Sequence, residues 1–270
     1  MTLNIDFNPL QGRVADDDAY KVFLPPPPLN RWVHSFWQLN VPSGDFSYHS
    51  IPDNSVDWII NTNDFEDNVV IPPFLSSTVF EMTGPVSYFG IRFRLLGHQG
   101  LISTPLGEWS MYDTVNAEDV LPSHVIHAVF ESINKTALFP DQCKSLLTIL
   151  LSMIKHSDAD PRVARYIRYC YKKPAASIKL SDKQCSEFGV SSRQLRRLTQ
   201  LYLGCAPKDF ARVLRFQRTL ELQCFKKHQK AWADYYYDQP HFNREFKRLA
   251  GLTPTEFINL SVLYNLKPNV

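Results

Sequence analysis

The apolar residues of this 270-residue chain change their period once, and that switch does more than any other feature to limit its fold. Up to about residue 95 they fall in short runs rich in aromatic and β-branched side chains: RWVHSFWQLNV, FSYHSI, VDWIINT, NVVI, STVFEM and SYFGIRFRLL. Turn signals (PSG, PDN, NDFEDN, PP, GP) separate them, and short strands at this spacing predict an antiparallel sandwich or barrel. The run Pro25 to Pro28 predicts a polyproline II stretch, a rigid lead into the first strand. From about Glu118 the period is helical. HVIHAVFESI sets Val125, Val129 and Ile133 four apart, and a broad stripe runs through Leu146, Leu147, Leu150, Leu151 and Ile154. Such helices either pack back on the β-region or form a dimer seam. The stripe is wider than one packed face requires, which predicts a homodimer. Asp158-Ala-Asp160-Pro161 reads as a helix start with proline in the first turn. It sets the expected boundary between an N-terminal domain, 1–157, and an all-α domain, 161–265. The fold class is α+β.

A net charge of +2 hides a division between the halves. Residues 1–160 hold 8 Lys+Arg and 19 Asp+Glu, a balance of −11; residues 161–270 hold 21 and 8, a balance of +13. A sensory or assembly domain joined to one that meets a polyanion is the expectation. The cysteines (Cys143, Cys170, Cys185, Cys205, Cys224) form no CxxC pair and read as reduced thiols with no metal or cofactor. The N-terminus has no basic n-region or apolar h-region, and no apolar run approaches the roughly 18 residues of a membrane span. A cytoplasmic protein without membrane contact is expected.

In the basic half, Phe188-Gly189-Val190-Ser191 combines a helix stop, a glycine able to take positive φ and a capped restart. That is the turn of a helix-turn-helix, whose second helix lies in the DNA major groove. In SSRQLRRLTQLY, Leu195, Leu198 and Tyr202 share the inward face, leaving Arg193, Arg196, Arg197 and Gln200 outward. Such a face is either simply solvated or reads bases, and its place after a glycine turn favours the latter. An arginine fork matches guanine O6 and N7 together. Pro207 begins a long helix. The second unit is DQPHFNREFKRLAG, with Phe242, Phe246 and Leu249 buried and Gln239, Asn243, Arg244, Lys247 and Arg248 outward. His241, in its first turn, reads as a polar cap or phosphate contact.

These segments carry a resemblance. From Ile178 to about Leu260, through FGVSSRQLRRL, GCAPKDFARVLRFQR and YYDQPHFNREFKRLAGLTPTEF, the chain resembles the DNA-binding domain of the AraC/XylS family of bacterial transcription regulators. The resemblance implies two helix-turn-helix units joined by the helix beginning at Pro207, entering successive major-groove segments on one face of double-stranded DNA. By position it implies base reading by Arg193, Arg196, Arg197, Gln239, Asn243 and Arg244. Phosphate contacts would come from Ser192, Lys208, Arg215, Lys247 and Arg248. An activator that contacts RNA polymerase is the corresponding expectation. Residues 24–135, through PPPPLNRWVHSFWQL, IPDNSVDWIINT, YFGIRFRLLG and STPLGEW, resemble the uncharacterised N-terminal domain of a subgroup of these regulators. Family members often carry a cupin-like barrel there that binds an effector or mediates dimerisation.

The stretch Gln229 to Tyr235 departs from the family pattern. Lys230 falls on an apolar position and Tyr235 on a glycine, where a left-handed backbone would cost about 1 kcal/mol or more. Gln184 and Thr199 stand where the first unit usually has apolar residues. A distorted second unit is expected, leaving sequence discrimination mainly to Arg193, Arg196 and Arg197 and phosphate affinity to Arg244, Lys247 and Arg248. The alternative is a degenerate relative acting mainly through protein–protein contacts. An enzyme is not expected, since GxSxG, Walker A, HExxH and dinucleotide-binding motifs are all missing. His124 and His127 lack a third zinc ligand, and Asp53-Asn54 reads as a turn cap. The first half holds four of five tryptophans, enough to line an effector pocket or simply to fill a core. Arg92 and Arg94 alternate with apolar residues and, with Trp58, are the candidates for a small-molecule effector site; the arginines either clamp a carboxylate or face water.

Overall fold

Two turn signals that face each other across the sheet bend its longest strands without ending them. The computed structural model describes residues 9–12, 14, 19–110, 114–155, 160–173, 181–222, 231–260 and 262–265. Its strands are β1 (Tyr20–Phe23), β2 (Val33–Ser50), β3 (Asp57–Asn61), β4 (Asn68–Ile71), β5 (Thr78–Phe93), β6 (Val115–Asn116) and β7 (Leu263–Asn265). They form one antiparallel sheet ordered β1-β2-β5-β3-β4-β6, with β7 against the far half of β2. Four of the short runs have merged into two strands of 18 and 16 residues. The PSG and GP signals meet where the register shifts between Val41 and Gly44, a bulge that adds one residue to β2. A Cβ on Gly84 would lie 1.8 Å from the Pro42 carbonyl oxygen, so the close approach requires glycine. The prolines are also not a uniform polyproline II segment. They follow β1, and Pro27–Pro28 form a turn, with a cis peptide between them, ahead of a 3-10 turn at Leu29–Arg31.

One sheet face is covered by helices. Phe36, Trp58, Ile60, Val70, Phe89 and Ile91 are buried in a core shared with α3 (Ser123–Asn134) and α4 (Phe139–Met153). Each such side chain contributes about 1.5–3 kcal/mol on full burial. The wide stripe of α4 is used here: Leu146 and Leu150 are buried in this core, Leu147 and Ile154 pack against it, and Leu151 stays 38% exposed. Between β5 and α3 come two single-turn helices, α1 (Leu106–Trp109) and α2 (Ala117–Val120).

The C-terminal half is helical: α5 (Pro161–Lys172), α6 (Asp182–Cys185), α7 (Ser192–Leu203), α8 (Pro207–Leu220), α9 (Gln239–Ala250) and α10 (Pro254–Asn259). Asp160 caps α5 by accepting from the Arg162 N–H at 2.8 Å, with Pro161 next in the chain; residues 156–159 of the expected boundary lie outside the described residues. Helix α8 serves two cores from two faces. Phe210 and Leu214 pack with Tyr166, Phe188 and Leu195, whereas Val213, Phe216 and Leu220 pack with Phe242 and Phe246. Each core also takes one buried residue from the N-terminal half, Leu96 in the first and Ile51 in the second, with Leu95 and Leu10 packed against them.

Candidate nucleic-acid interface and the cavity beside it

The first helical unit is built as its residues predict. Gly189 takes φ +77° and closes a 3-10 turn over Ser186–Phe188, and Ser191 begins α7. The Ser191 hydroxyl accepts from the Gln194 N–H while the Gln194 side chain accepts from the Ser191 N–H, a closed capping box. Asp182 on α6 accepts from the Ser192 N–H at 2.7 Å, and this bond, with one from the Ser192 hydroxyl, holds its carboxyl below the ordinary range. Ser192, expected on a phosphate, is thus already engaged with a carboxylate. From α5, Arg165 donates twice to the Phe188 carbonyl. Arg193, Arg196, Arg197 and Gln200 are exposed opposite buried Leu195 and Leu198, and the three arginines have no ion pair among the described residues. The two polar substitutions are accommodated: Gln184 donates to the Tyr169 hydroxyl, and buried Thr199 donates to the Arg196 carbonyl.

The second unit reaches a similar helix by other means. Asp238 caps α9 by accepting from the His241 N–H at 2.6 Å, and Gly251 at φ +74° ends it. Phe242, Phe246 and Leu249 are buried; Gln239, Asn243, Arg244, Lys247 and Arg248 are exposed. The helix in front is a single 3-10 turn, Ala231–Asp234. Tyr235 carries no left-handed strain: among described non-glycine residues only Asn54 and Leu96 have positive φ. Its N–H instead closes a turn on the Trp232 carbonyl at 3.0 Å, so a glycine is not required there. Lys230 lies outside the described residues. Glu245 draws three cations together, Arg212 at 3.3 Å, Arg248 at 3.4 Å and Arg215 at 3.9 Å, and clips α9 to α8. Arg215 also stacks over Tyr236, 5.0 Å from its centroid. It therefore faces a carboxylate and a ring where the sequence reading put a phosphate, while Lys208 is exposed as expected.

The sheet face turned away from α3 and α4 encloses a cavity of about 290 Å³. The bulge in β2 brings Trp37 and Leu39 from before it, and Tyr48 and Ser50 from after it, to the same space. Trp37 lies over Gly90, where a Cβ would meet its ring at 1.9 Å. Arg92 is in this wall, bonded through Nε to both Asp57 oxygens at 3.0 and 3.1 Å, with Asp53 3.7 Å from its Nη1. Burial would lower the guanidinium pKa, but the two carboxylates outweigh it and hold the group charged. Burial pushes the Asp53 carboxyl up, against the pull of Arg92. Asp53 does cap its turn, accepting from the Ser55 N–H at 2.9 Å. The other two effector candidates are elsewhere. Arg94 donates to the Asn30 carbonyl at 2.6 Å beside a separate crevice, and Trp58 is fully buried on the helix-covered face, its indole N–H on Asn68. The sequence reading missed Gln11, Tyr20 and Tyr48 at this cavity; the paired position of Asp57 and Arg92 across β3 and β5 becomes visible only once the register is known.

Residues 184–259 match the family model of a helix-turn-helix domain, and residues 21–115 match a domain of unknown function, DUF6597. The chain carries an AraC-type helix-turn-helix domain. A domain of this type is the DNA-binding part of transcription regulators, and its presence supports that role here. Among solved structures it is similar to ToxT from Vibrio cholerae. An apo variant from strain SCE256 shows 15% identity and a TM-score of 0.41 over 93% of this chain and 95% of that one. The wild-type protein bound to an unsaturated fatty acid shows 13% identity and a TM-score of 0.40 over 92% of each chain. No curated protein sequence matches the chain. Among the described residues, no helix is long and apolar enough to cross a membrane.

The helix-turn-helix domain is held at both recognition helices. At the end of α7 the Gly204 carbonyl accepts from the Ser110 hydroxyl at 2.9 Å; at the end of α9 the Ala250 carbonyl accepts from the His49 ring at 2.7 Å. The linker α8 is held as well. Gln217 accepts from the Leu10 N–H at 2.8 Å and donates to the carbonyls of Leu10 at 3.0 Å and Pro52 at 2.8 Å. Next to these contacts, Gln11 donates to the Asp53 carboxylate at 3.0 Å, and Asn54 reaches the Phe210 carbonyl at 3.3 Å. Residues 51–56 therefore have Asp53 and Ser55 on the cavity and Pro52 and Asn54 on the linker helix.

Proposed function

We propose that this regulator reads operator sequence through Arg193, Arg196 and Arg197 on α7, with Gln239, Asn243 and Arg244 on α9 as a second and weaker reader. Lys208, Lys247 and Arg248 supply phosphate affinity, and Arg215 positions α9 through Glu245. A small molecule in the cavity alters DNA binding through residues 51–56, which touch both cavity and linker. The observation that carries this reading is the pair of capped helices, each with an exposed cationic face, mounted on one shared helix that the cavity loop holds. Gel shifts with the whole chain test it. Binding should fall steeply with salt, since a basic domain must release counterions from phosphates. Lys208→Ala should weaken all sequences about equally and lower the salt slope by about 1. A Lys208→Ala change that altered base preference would contradict the assignment. Sedimentation of the whole chain decides whether it forms the expected homodimer.

One observation favours a second reading, a relative that works through protein contacts: the support of α9 is a single 3-10 turn. Failure of the whole chain to bind any duplex, at any salt, would select it.

A further inference from the structure

The charges around the cavity point to the ligand it takes. Four carboxylates line it, those of Asp53, Asp57, Asp67 and Glu81, against one cation, Arg92. Arg92 is already shared between Asp57 and Asp53. Asp67 accepts only from neutral donors, the Asn61 amide at 3.0 Å and the Tyr88 hydroxyl at 3.5 Å, and has no ion pair among the described residues. Glu81 is exposed at the rim. The walls between these acids are electron-rich rings. Tyr20 and Trp37 lie 6.1 Å apart at 31°, and Tyr48 and Tyr88 add two more. Among the described residues neither the Tyr20 nor the Tyr48 hydroxyl makes a hydrogen bond. From this arrangement we infer that the cavity binds a small organic cation, an amine or quaternary ammonium with an apolar body.

The physical case is one of signs. The face of a Trp or Tyr ring is negative and attracts a cation, most strongly where water is excluded. Carboxylates without a paired cation add attraction of the same sign. A carboxylate ligand would meet more acidic groups than cations and could find a partner only by taking Arg92 from Asp57 and Asp53, leaving those two buried without their cation. A neutral lipid chain would leave the Arg92 pairs intact but would cover Asp67 with no charge to compensate it. At about 290 Å³ the space is at the small end of ligand pockets, which suits a compact ligand. The inference rests on reading the cavity as an effector site, but makes a separate demand on it.

The test uses the whole chain and three matched probes, benzyltrimethylammonium, benzyl alcohol and benzoate, with dodecanoate as a fourth, measured by calorimetry and by quenching of tryptophan fluorescence. Benzyltrimethylammonium should bind at least tenfold more tightly than any of the others. Asp67→Asn combined with Glu81→Gln, neither of which touches the Arg92 pairing, should weaken the cation at least tenfold and leave benzyl alcohol unchanged. Ile59→Trp, which fills the cavity, should abolish binding. Preference for benzoate or dodecanoate, or a cation affinity indifferent to the two acid changes, would overturn the inference while leaving an effector cavity in place. No binding of any probe would overturn both. Cation binding that leaves DNA affinity unchanged would uphold the ligand class and remove the effector role.

Discussion

The two helix-turn-helix units arrive at comparable recognition helices with different sources of support. The first is held mainly by its own residues: Gly189 at positive φ, the Ser191–Gln194 box, Asp182 on the helix start and Arg165 on the turn. In the second, a single 3-10 turn stands in front of the recognition helix. The N-terminal half adds Leu96 and Ser110 to the first unit, and Ile51 and His49 to the second, whose short turn leaves it to lean on these and on the Glu245 cluster that ties α9 to α8. A short unit can therefore keep a fixed recognition helix if a neighbouring domain completes its packing.

The largest effect should separate the two supports directly. Ile51→Ala removes a fully buried side chain from the second core and should cost about 2–5 kcal/mol in denaturant unfolding. Leu96→Ala, the corresponding N-terminal residue in the first core, should cost less, because Leu96 is 8% accessible where Ile51 is fully buried. Equal losses would remove the distinction.

Acid should act on the other joint. His98 lies beside Leu96, Tyr202 and Phe210, and burial pushes its imidazole down to about 4. The unfolded chain takes up the proton near pH 6.5, the folded one only near pH 4, so stability falls as pH drops between these values. The loss approaches roughly 3 kcal/mol at the lower end. His98→Gln should flatten that slope, though not abolish it, because burial and the nearby Arg92 and Arg94 also push His34 down to about 4. An unchanged pH profile in His98→Gln would contradict the assignment. The caps should give the smallest and most even effects. Ser191→Ala and Asp238→Ala should each cost about 1 kcal/mol, since both accept from first-turn N–H groups.

The sequence exposed most clearly what depends on local chemistry. The glycine turn, the caps at Asp160 and Ser191, the stripes Leu195–Leu198 and Phe242–Phe246–Leu249, and the exposed arginines of α7 were all legible, because each depends on residues within about one helical turn. What was not legible depends on distant partners. PSG and GP read as turns because nothing local shows that they face each other across a bulge. Trp58 and Arg92 lie on opposite sheet faces, and only strand register separates a core tryptophan from a cavity arginine. Arg215 looked like a phosphate contact until Glu245 and Tyr236 came beside it. Tyr235 escaped its expected strain because a 3-10 turn replaced the glycine turn.

The central claim is that the self-supported unit leads in reading sequence and the other adds mainly affinity. Selection of binding sites from a random duplex library, by the whole chain and by Arg197→Ala and Asn243→Ala, tests it most directly. Arg197→Ala should erase preference at one or two base positions, each bidentate contact being worth about 1–3 kcal/mol of discrimination. Asn243→Ala should leave the selected motif nearly unchanged. A motif degraded as much by Asn243→Ala as by Arg197→Ala would show that the domain-supported unit reads bases equally, and would contradict the account.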